Sequence, residues 1–354
     1  MSKNQESVLV TGSSGLIGSE AVLFFDRLGW RVSGIDNNLR KHFFGKEGDT
    51  DWNLKRLKGA SKNFEHYPLD IRSRNDIFEF FQSRKFDLII HCAAQPSHDF
   101  SRQDPFLDFE INASGALNLL EAYRLHSPRA VFIHMSTNKV YGDAPNELPL
   151  VELESRWDYS RKEDYKGIDE TMRIDQSKHS LFGASKLASD IMAQEYARYF
   201  GLSIGIFRGS CLTGPNHAGA ELHGFLAYLV KAAVRDIEYK IFGYKGKQVR
   251  DQLHSHDVVS ALYEFYKNPR AGEVYNLGGG RTNSVSVLEA IRKIEKILGR
   301  KIRSVTMDQN REGDHICYIS DMKKFESHFP GWQITKPLDL ILEEILEVQL
   351  CAAS

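Results

Sequence analysis

V-L-V-T-G-S-S-G-L-I-G, residues Val8 to Gly18, sets a short apolar run against three glycines, Gly12, Gly15 and Gly18. The run is unbroken rather than alternating, which is the pattern of a strand buried on both faces. A helical pattern follows from about Leu16 to Leu28, and a second strand, R-V-S-G-I-D, spans Arg31 to Asp36. Strand, tight turn, helix and strand in this order predict parallel pairing through a right-handed crossover.

The pattern continues outward. Phe64–Tyr67, Leu88–His91 and Ala130–Met135 read as further strands, with helical segments between them such as Asn112 to His126. The fold class is therefore α/β, a doubly wound parallel sheet of the Rossmann type. From Asp143 to Ser180 the periodicity is lost, and Trp157, Tyr159 and Tyr165 interleave with charges. A loop this long in a compact domain is usually functional or mobile. Helix returns from about Ser180 to Phe200, then a strand at Ser203–Arg208. Beyond it lie helix Phe225–Val234, strand Glu273–Leu277, helix Ser286–Leu298 and a last helix near Leu338–Val348. This predicts a Rossmann domain over 1–209, its sheet completed by parts of 241–277. A smaller C-terminal substrate-binding lobe is expected over 210–240 and 278–354.

Composition narrows the class of partner. The chain of 354 residues is 42% hydrophobic and 26% charged, with a formal net charge of -1. No basic excess exists to displace counterions from nucleic acid. No stretch approaches the ~20 apolar residues of a membrane span, and the polar N-terminus lacks a signal-peptide core. Four scattered cysteines offer no C-x-x-C pair, so structural zinc and a disulfide framework are not expected. H-S-H-D, His254 to Asp257, reads as a helix start capped by Asp257 rather than as a metal site. A cytoplasmic location is the expectation.

The glycine turn has a chemical meaning when read with Asp36. Small residues let backbone N–H groups approach a pyrophosphate at the start of a helix. Asp36 stands eighteen residues past Gly18, where a carboxylate can accept from both hydroxyls of an adenosine ribose. It would repel a 2′-phosphate, so NAD is expected over NADP. Arg40, close by, is the kind of residue a 2′-phosphate would want.

Gly-x-x-Gly-x-x-Gly resembles the extended short-chain dehydrogenase/reductase superfamily, in its nucleotide-sugar epimerase and dehydratase group. Further likenesses follow in order: L-D-I-R (Leu69–Arg72), H-C-A-A-Q (His91–Gln95), N-A-S-G-A-L-N-L-L-E-A from Asn112, and S-T-N-K-V-Y-G (Ser136–Gly142). The resemblance implies cofactor contacts from Gly12, Ser14, Gly15, Leu16, Ile17, Gly18, Asp36, Asn37, Asn38 and Arg40. It adds Asp70 and Ile71 beside the adenine, then Ala93, Ala94, Gln95, Asn112 and Lys186. Thr137 would be the catalytic hydroxyl. S-T-N-K-V-Y-G-D, G-I-D-E-T and G-K-Q-V-R-D-Q-L-H further resemble the branch that acts as 2-epimerases on cytidine diphosphate hexoses.

On the substrate side the resemblance implies a nucleoside diphosphate sugar as partner. Arg250 and Arg311 suit diphosphate oxygens, because a guanidinium can bind them through two parallel hydrogen bonds. Arg208 is expected at the sugar, and Ser97, Asn138, Asn216 and His223 complete the substrate contacts. A homodimer through the helices near 112–126 and 180–200 is also implied.

One position breaks the pattern. The superfamily places Tyr-x-x-x-Lys on one helix, two residues four positions apart on a shared face, and the tyrosinate takes the sugar hydroxyl proton. This chain reads F-G-A-S-K, with Phe182 at the tyrosine position and Lys186 in place. A phenyl ring cannot accept a proton. Tyr159, Tyr165, His179 or Lys186 itself could supply the missing base, keeping an epimerase that oxidises and re-reduces the sugar at C2. Related dehydratase or oxidoreductase chemistry, a silent binder of NAD and nucleotide sugar, or a phenylalanine introduced to trap substrate are the alternatives.

Overall fold

The structure is a computed structural model and describes residues 5–221, 223–308 and 313–352. The opening run forms β1 (Ser7–Thr11), every residue of it buried, and the glycine turn leads into α1 (Leu16–Arg27). β2 (Arg31–Ile35), β3 (Phe64–Tyr67), β4 (Leu88–His91) and β5 (Val131–Thr137) follow. β1 pairs in parallel with β2 on one side and β4 on the other, with Val8 opposite Val32 and Leu88. The full sheet has seven strands, in the order Val274–Leu277, Ile204–Gly209, β5, β4, β1, β2, β3. The order reverses between β1 and β4, and ligands in such sheets bind beyond the carboxyl ends of the strands at that reversal.

The first compact unit comprises Met1–Val140, Leu181–Arg208 and Val259–Tyr275. One core cluster packs Leu9, Ile35, Ile89, Phe132 and Ile204 from the sheet against Leu119, Leu120 and Tyr123 of helix Gly115–His126 and Ala193 and Ala197 of helix Leu181–Phe200. Each large apolar side chain fully buried in this way contributes about 1.5–3 kcal/mol. That packing holds the carboxyl ends of β1, β2, β4 and β5 in place.

The second unit comprises Tyr141–Ser180, Gly209–Val258 and Asn276–Ser354. Its core gathers Leu229 and Val230 of helix Phe225–Val234, Ile291 and Ile294 of helix Val287–Leu298, and Ile341, Leu342 and Ile345 of helix Leu338–Cys351. Helix Val287–Leu298 starts in a capping box, Ser286 and Glu289 satisfying each other's backbone N–H groups.

Two features of this unit differ from the sequence reading. The stretch 143–180 is not patternless: Leu150–Glu152 and Trp157–Tyr159 pair as an antiparallel hairpin. Strands three residues long carry too little alternation to stand out. An ion pair from Arg281 to Asp158 at 2.7 Å and a hydrogen bond from Arg156 to the Ser284 hydroxyl at 2.7 Å anchor the hairpin, with Tyr159 buried beneath it. Within 241–277, the strand Val274–Leu277 completes the central sheet. Val249–His254 instead lies at the middle of a four-stranded sheet with Cys211–Thr213, Ser284–Ser286 and Cys317–Tyr318. Asp257 is not a cap, because helix Ser255–Lys267 begins two residues earlier. Its carboxylate accepts from Thr335 N, Thr335 Oγ1 and Lys336 N at 3.1, 2.5 and 2.9 Å.

Candidate active site

The turn after β1 is shaped for close approach. Gly12 has φ +68, and a Cβ there would stand 2.8 Å from the Ala93 backbone nitrogen. A Cβ on Gly18 would stand 2.0 Å from the Gly12 carbonyl oxygen, so helix and turn meet with no room for a side chain. Gly15 is the N-cap of α1 and supplies no side-chain cap, while Leu16 and Ile17 form the first turn. The backbone N–H groups of that turn are of the kind an anion satisfies. The buried hydroxyls of Ser13 and Ser14 have no hydrogen-bond partner among the described residues, as expected where a bound group would supply one.

Asp36, just past β2, is held by two backbone donors, Ser14 N at 2.9 Å and Asn38 N at 2.8 Å. Burial pushes its carboxyl above the ordinary value, and the two N–H groups oppose that shift. Asn37 caps the local turn by accepting from Leu39 N at 3.1 Å. Asn38 donates to Asp49 at 2.9 Å and accepts from the Thr50 hydroxyl at 3.0 Å. Arg40 lies over the Phe44 ring at 4.6 Å, and burial lowers its pKa to about 10. Asp70 is engaged by Arg72 at 2.6 Å, next to buried Ile71. A glycine cradle, unpartnered hydroxyls and a ribose-facing type of carboxylate together fit a dinucleotide with a free 2′-hydroxyl.

The loop after β4 carries Ala93, Ala94 and Gln95. Ala93 N donates to the Thr11 hydroxyl at 3.3 Å. Asn112 lies in a π-helical turn, Glu110–Ser114, and its amide clasps the Gln95 backbone from both sides, at 2.9 and 3.0 Å. The same amide donates to Asp108 and to the Ser185 hydroxyl, each at 3.1 Å. Asn112, expected beside the cofactor, thus ties the loop after β4 to helix Leu181–Phe200.

That helix presents Phe182 and Lys186 one turn apart, 7% and 3% exposed. The Lys186 ammonium donates to the Met135 carbonyl at 2.9 Å. Burial lowers its pKa to about 8, against the opposing pull of Asp190, Cys92 and Asp108. Thr137 ends β5 and its hydroxyl is 3.4 Å from buried Asn138 Oδ1. A residue that the sequence reading passed over meets Phe182 directly. The His98 imidazole packs edge-on against the phenyl ring, centroids 4.9 Å apart at 60°. His98 opens helix His98–Gln103, capped by Ser97, whose hydroxyl accepts from Phe100 N at 3.1 Å. Its signal was present in H-C-A-A-Q-P-S-H, a titratable group three residues past Gln95 on the loop assigned to the cofactor.

Arg208 was expected at the sugar, but its guanidinium closes a buried ion pair with Asp190, Nε to Oδ2 and Nη2 to Oδ1, each at 3.0 Å. Ser136 and Gln194 also donate to Asp190, at 2.5 and 2.7 Å. A carboxylate this enclosed needs the full set, which directs the arginine inward.

In the second unit Arg250 is buried, pairs with Asp314 and donates to the Val249 carbonyl at 2.6 Å. Arg311 lies outside the described residues. Asn216 sits in the turn before helix Phe225–Val234, and His223 bridges to Ala220 with its ring 5.6 Å from that of His217. The candidate bases of the long loop differ in state. Tyr159 is buried, its hydroxyl 3.3 Å from the Cys317 carbonyl, and burial drives its pKa well above the ordinary value. Tyr165 is 59% exposed, with the Arg281 guanidinium 4.2 Å over its ring. The His179 ring contacts the Ser177 carbonyl at 2.9 Å. A buried phenol pushed upward is a poor proton acceptor.

Comparison with known proteins gives this arrangement its kin. Residues 8–278 match the NAD dependent epimerase/dehydratase family. The chain is 35% identical over 324 residues to a CDP-paratose 2-epimerase of Salmonella typhi, covering 90% of this chain and 91% of that one. It is 27% identical to a UDP-glucuronate 4-epimerase of Thermodesulfobacterium geofontis, over 93% of both. Among solved structures, UDP-glucose 4-epimerase from Thermotoga maritima, with UDP-glucose, superposes with TM-score 0.77 at 26% identity, over 98% of this chain and 99% of that one. Glycine cradle, the Asp36 carboxylate past β2 and Lys186 agree with these matches: the chain belongs to the NAD dependent epimerase/dehydratase family.

Proposed function

We propose that this protein is an NAD-dependent nucleotide-sugar epimerase that inverts C2 of a cytidine diphosphate hexose. The observation that carries the reading is the 35% identity to a CDP-paratose 2-epimerase along nine-tenths of both chains. NAD supplies the acceptor and then the donor of the sugar's hydride, with no net redox change. The chain's own residues do the rest. The Gly12–Gly18 turn and Asp36 bind and orient the dinucleotide. Lys186 brings a buried cation beside the reacting region, anchored on the Met135 carbonyl, where it favours negative charge developing on a sugar oxygen. Thr137 offers a hydroxyl at the end of β5. Arg250, together with Arg311, is suited to hold diphosphate oxygens, with Ser97, Asn138, Asn216 and His223 toward the nucleotide and sugar.

A homodimer is part of this reading, through helices Gly115–His126 and Leu181–Phe200. Leu125 and Phe200 on them are about half exposed and Tyr199 is 81% exposed, apolar surface that a second copy would cover. No described helix is long and apolar enough to cross a membrane.

The test is to incubate the protein with NAD and a panel of nucleoside diphosphate sugars and follow the sugar by NMR. Conversion of CDP-paratose to its C2 epimer is expected. Unchanged sugars, with binding verified in the same samples, would leave a binder of NAD and nucleotide sugar, the reading that Phe182 favours.

A further inference from the structure

We propose that His98 is the acid/base residue that takes over the proton transfer for which Phe182 has no hydroxyl. The assignment rests on the epimerase reading above. It starts from the contact itself: the one ring that cannot exchange a proton is packed against one that can, 4.9 Å between centroids. The ordinary pKa of histidine, ~6.5, makes imidazole a base at neutral pH without help, whereas a phenol at ~10 needs a neighbouring cation.

The contact is held by a buried framework. Gln95 donates to the Ser97 carbonyl at 2.8 Å and to Asp108 at 2.6 Å, and accepts from Ser97 N at 2.5 Å. Asn112 then joins Gln95 to the Ser185 hydroxyl, which in turn donates to the Phe182 carbonyl at 3.1 Å. Gln95, Ser97, Asp108, Asn112 and Ser185 are each 5% exposed or less. The residue before His98 and the turn that carries Phe182 are therefore ends of one hydrogen-bonded chain. Groups so positioned keep their mutual geometry, which is what acid/base transfer requires. His98 itself is half-buried, enclosed enough to be oriented and open enough to meet a ligand.

The step balances without another reagent. As hydride leaves the carbinol carbon for the cofactor, the O–H bond breaks, the C=O bond forms and the proton passes to an imidazole nitrogen. When hydride returns to the opposite face, the imidazolium gives that proton back to the sugar oxygen. Histidine ends as it began.

The experiment uses NAD-loaded protein, CDP-paratose as probe, and three variants: His98→Gln, Phe182→Tyr and the double variant. His98→Gln is expected to lower turnover roughly 10²–10⁴-fold, while calorimetry shows unchanged binding of NAD and CDP. Adding Phe182→Tyr to His98→Gln restores at least tenfold of the loss, a rescue that a structural role would not give. Independently of turnover, the His98 Cε1–H NMR resonance, identified by its absence in His98→Gln, shifts when CDP-paratose joins the NAD-loaded protein. An active parent with His98→Gln within threefold of it, a loss that Phe182→Tyr does not rescue, or an unmoved His98 resonance would each overturn the assignment alone. A parent silent with every nucleotide sugar would overturn the epimerase reading, and the assignment with it.

Discussion

Arg208 and Asp190 form a two-point ion pair inside the first unit, both bonds 3.0 Å and the side chains 4% and 0% exposed. The pair joins the strand Ile204–Gly209 to helix Leu181–Phe200, and Ser136 brings β5 to the same carboxylate. It ties that strand to the two elements that carry Thr137, on β5, and Phe182 and Lys186, on the helix.

Removing one partner strands the other. Asp190→Ala leaves a buried guanidinium uncompensated, and the expected cost is about 3–5 kcal/mol. Denaturant unfolding of Asp190→Ala beside the parent measures it. A change below about 1 kcal/mol would mean that water reaches the arginine.

Lys186 makes a pH prediction. Burial lowers its pKa in the folded chain to about 8, below the ordinary 10.5. Between those values the unfolded chain binds the extra proton, so this group adds stability as pH rises from 8 to 10.5. Below pH 8 the full penalty of the buried charge is present. In NAD-free protein, the stability of Lys186→Met relative to the parent should therefore be greatest below pH 8 and fall through pH 10. Urea midpoints across that range check it; a constant difference would place the lysine at its ordinary pKa.

Asp36 makes a prediction about the cofactor. Replacing the proposed ribose acceptor with alanine is expected to cost about 1.5–3 kcal/mol, or roughly 10–100-fold in NAD affinity. The discrimination against NADP should shrink at the same time, because the 2′-phosphate no longer meets a carboxylate. Titration of both dinucleotides against Asp36→Ala by calorimetry measures the two effects together.

The sequence was most legible where one physical rule acts locally. Val8–Thr11, Leu88–His91 and the glycine turn announce a buried parallel sheet because strand burial and tight turns leave few residue choices. The position of Phe182 was legible from its four-residue spacing to Lys186. His98 stood in view on the loop after β4, but its pairing with Phe182 did not, because a ring contact between a loop and a helix distant in sequence has no local signature. Arg208 misled for a related reason: an arginine at a strand's carboxyl end suits a ligand, and only the fold shows Asp190 waiting for it. The second unit was the least legible, since its strands at Leu150–Glu152, Cys211–Thr213 and Ser284–Ser286 are three residues each and owe their pairing to distant partners.

The proposed reaction is hydride transfer at C2 without a tyrosine hydroxyl. The measurement that tests it most directly is NMR of CDP-paratose incubated with NAD-loaded protein in deuterium oxide. The expected product is the C2 epimer with its original hydrogen still on C2, because the hydride would leave and return through the cofactor. An unchanged sugar, or solvent deuterium at C2, would contradict it.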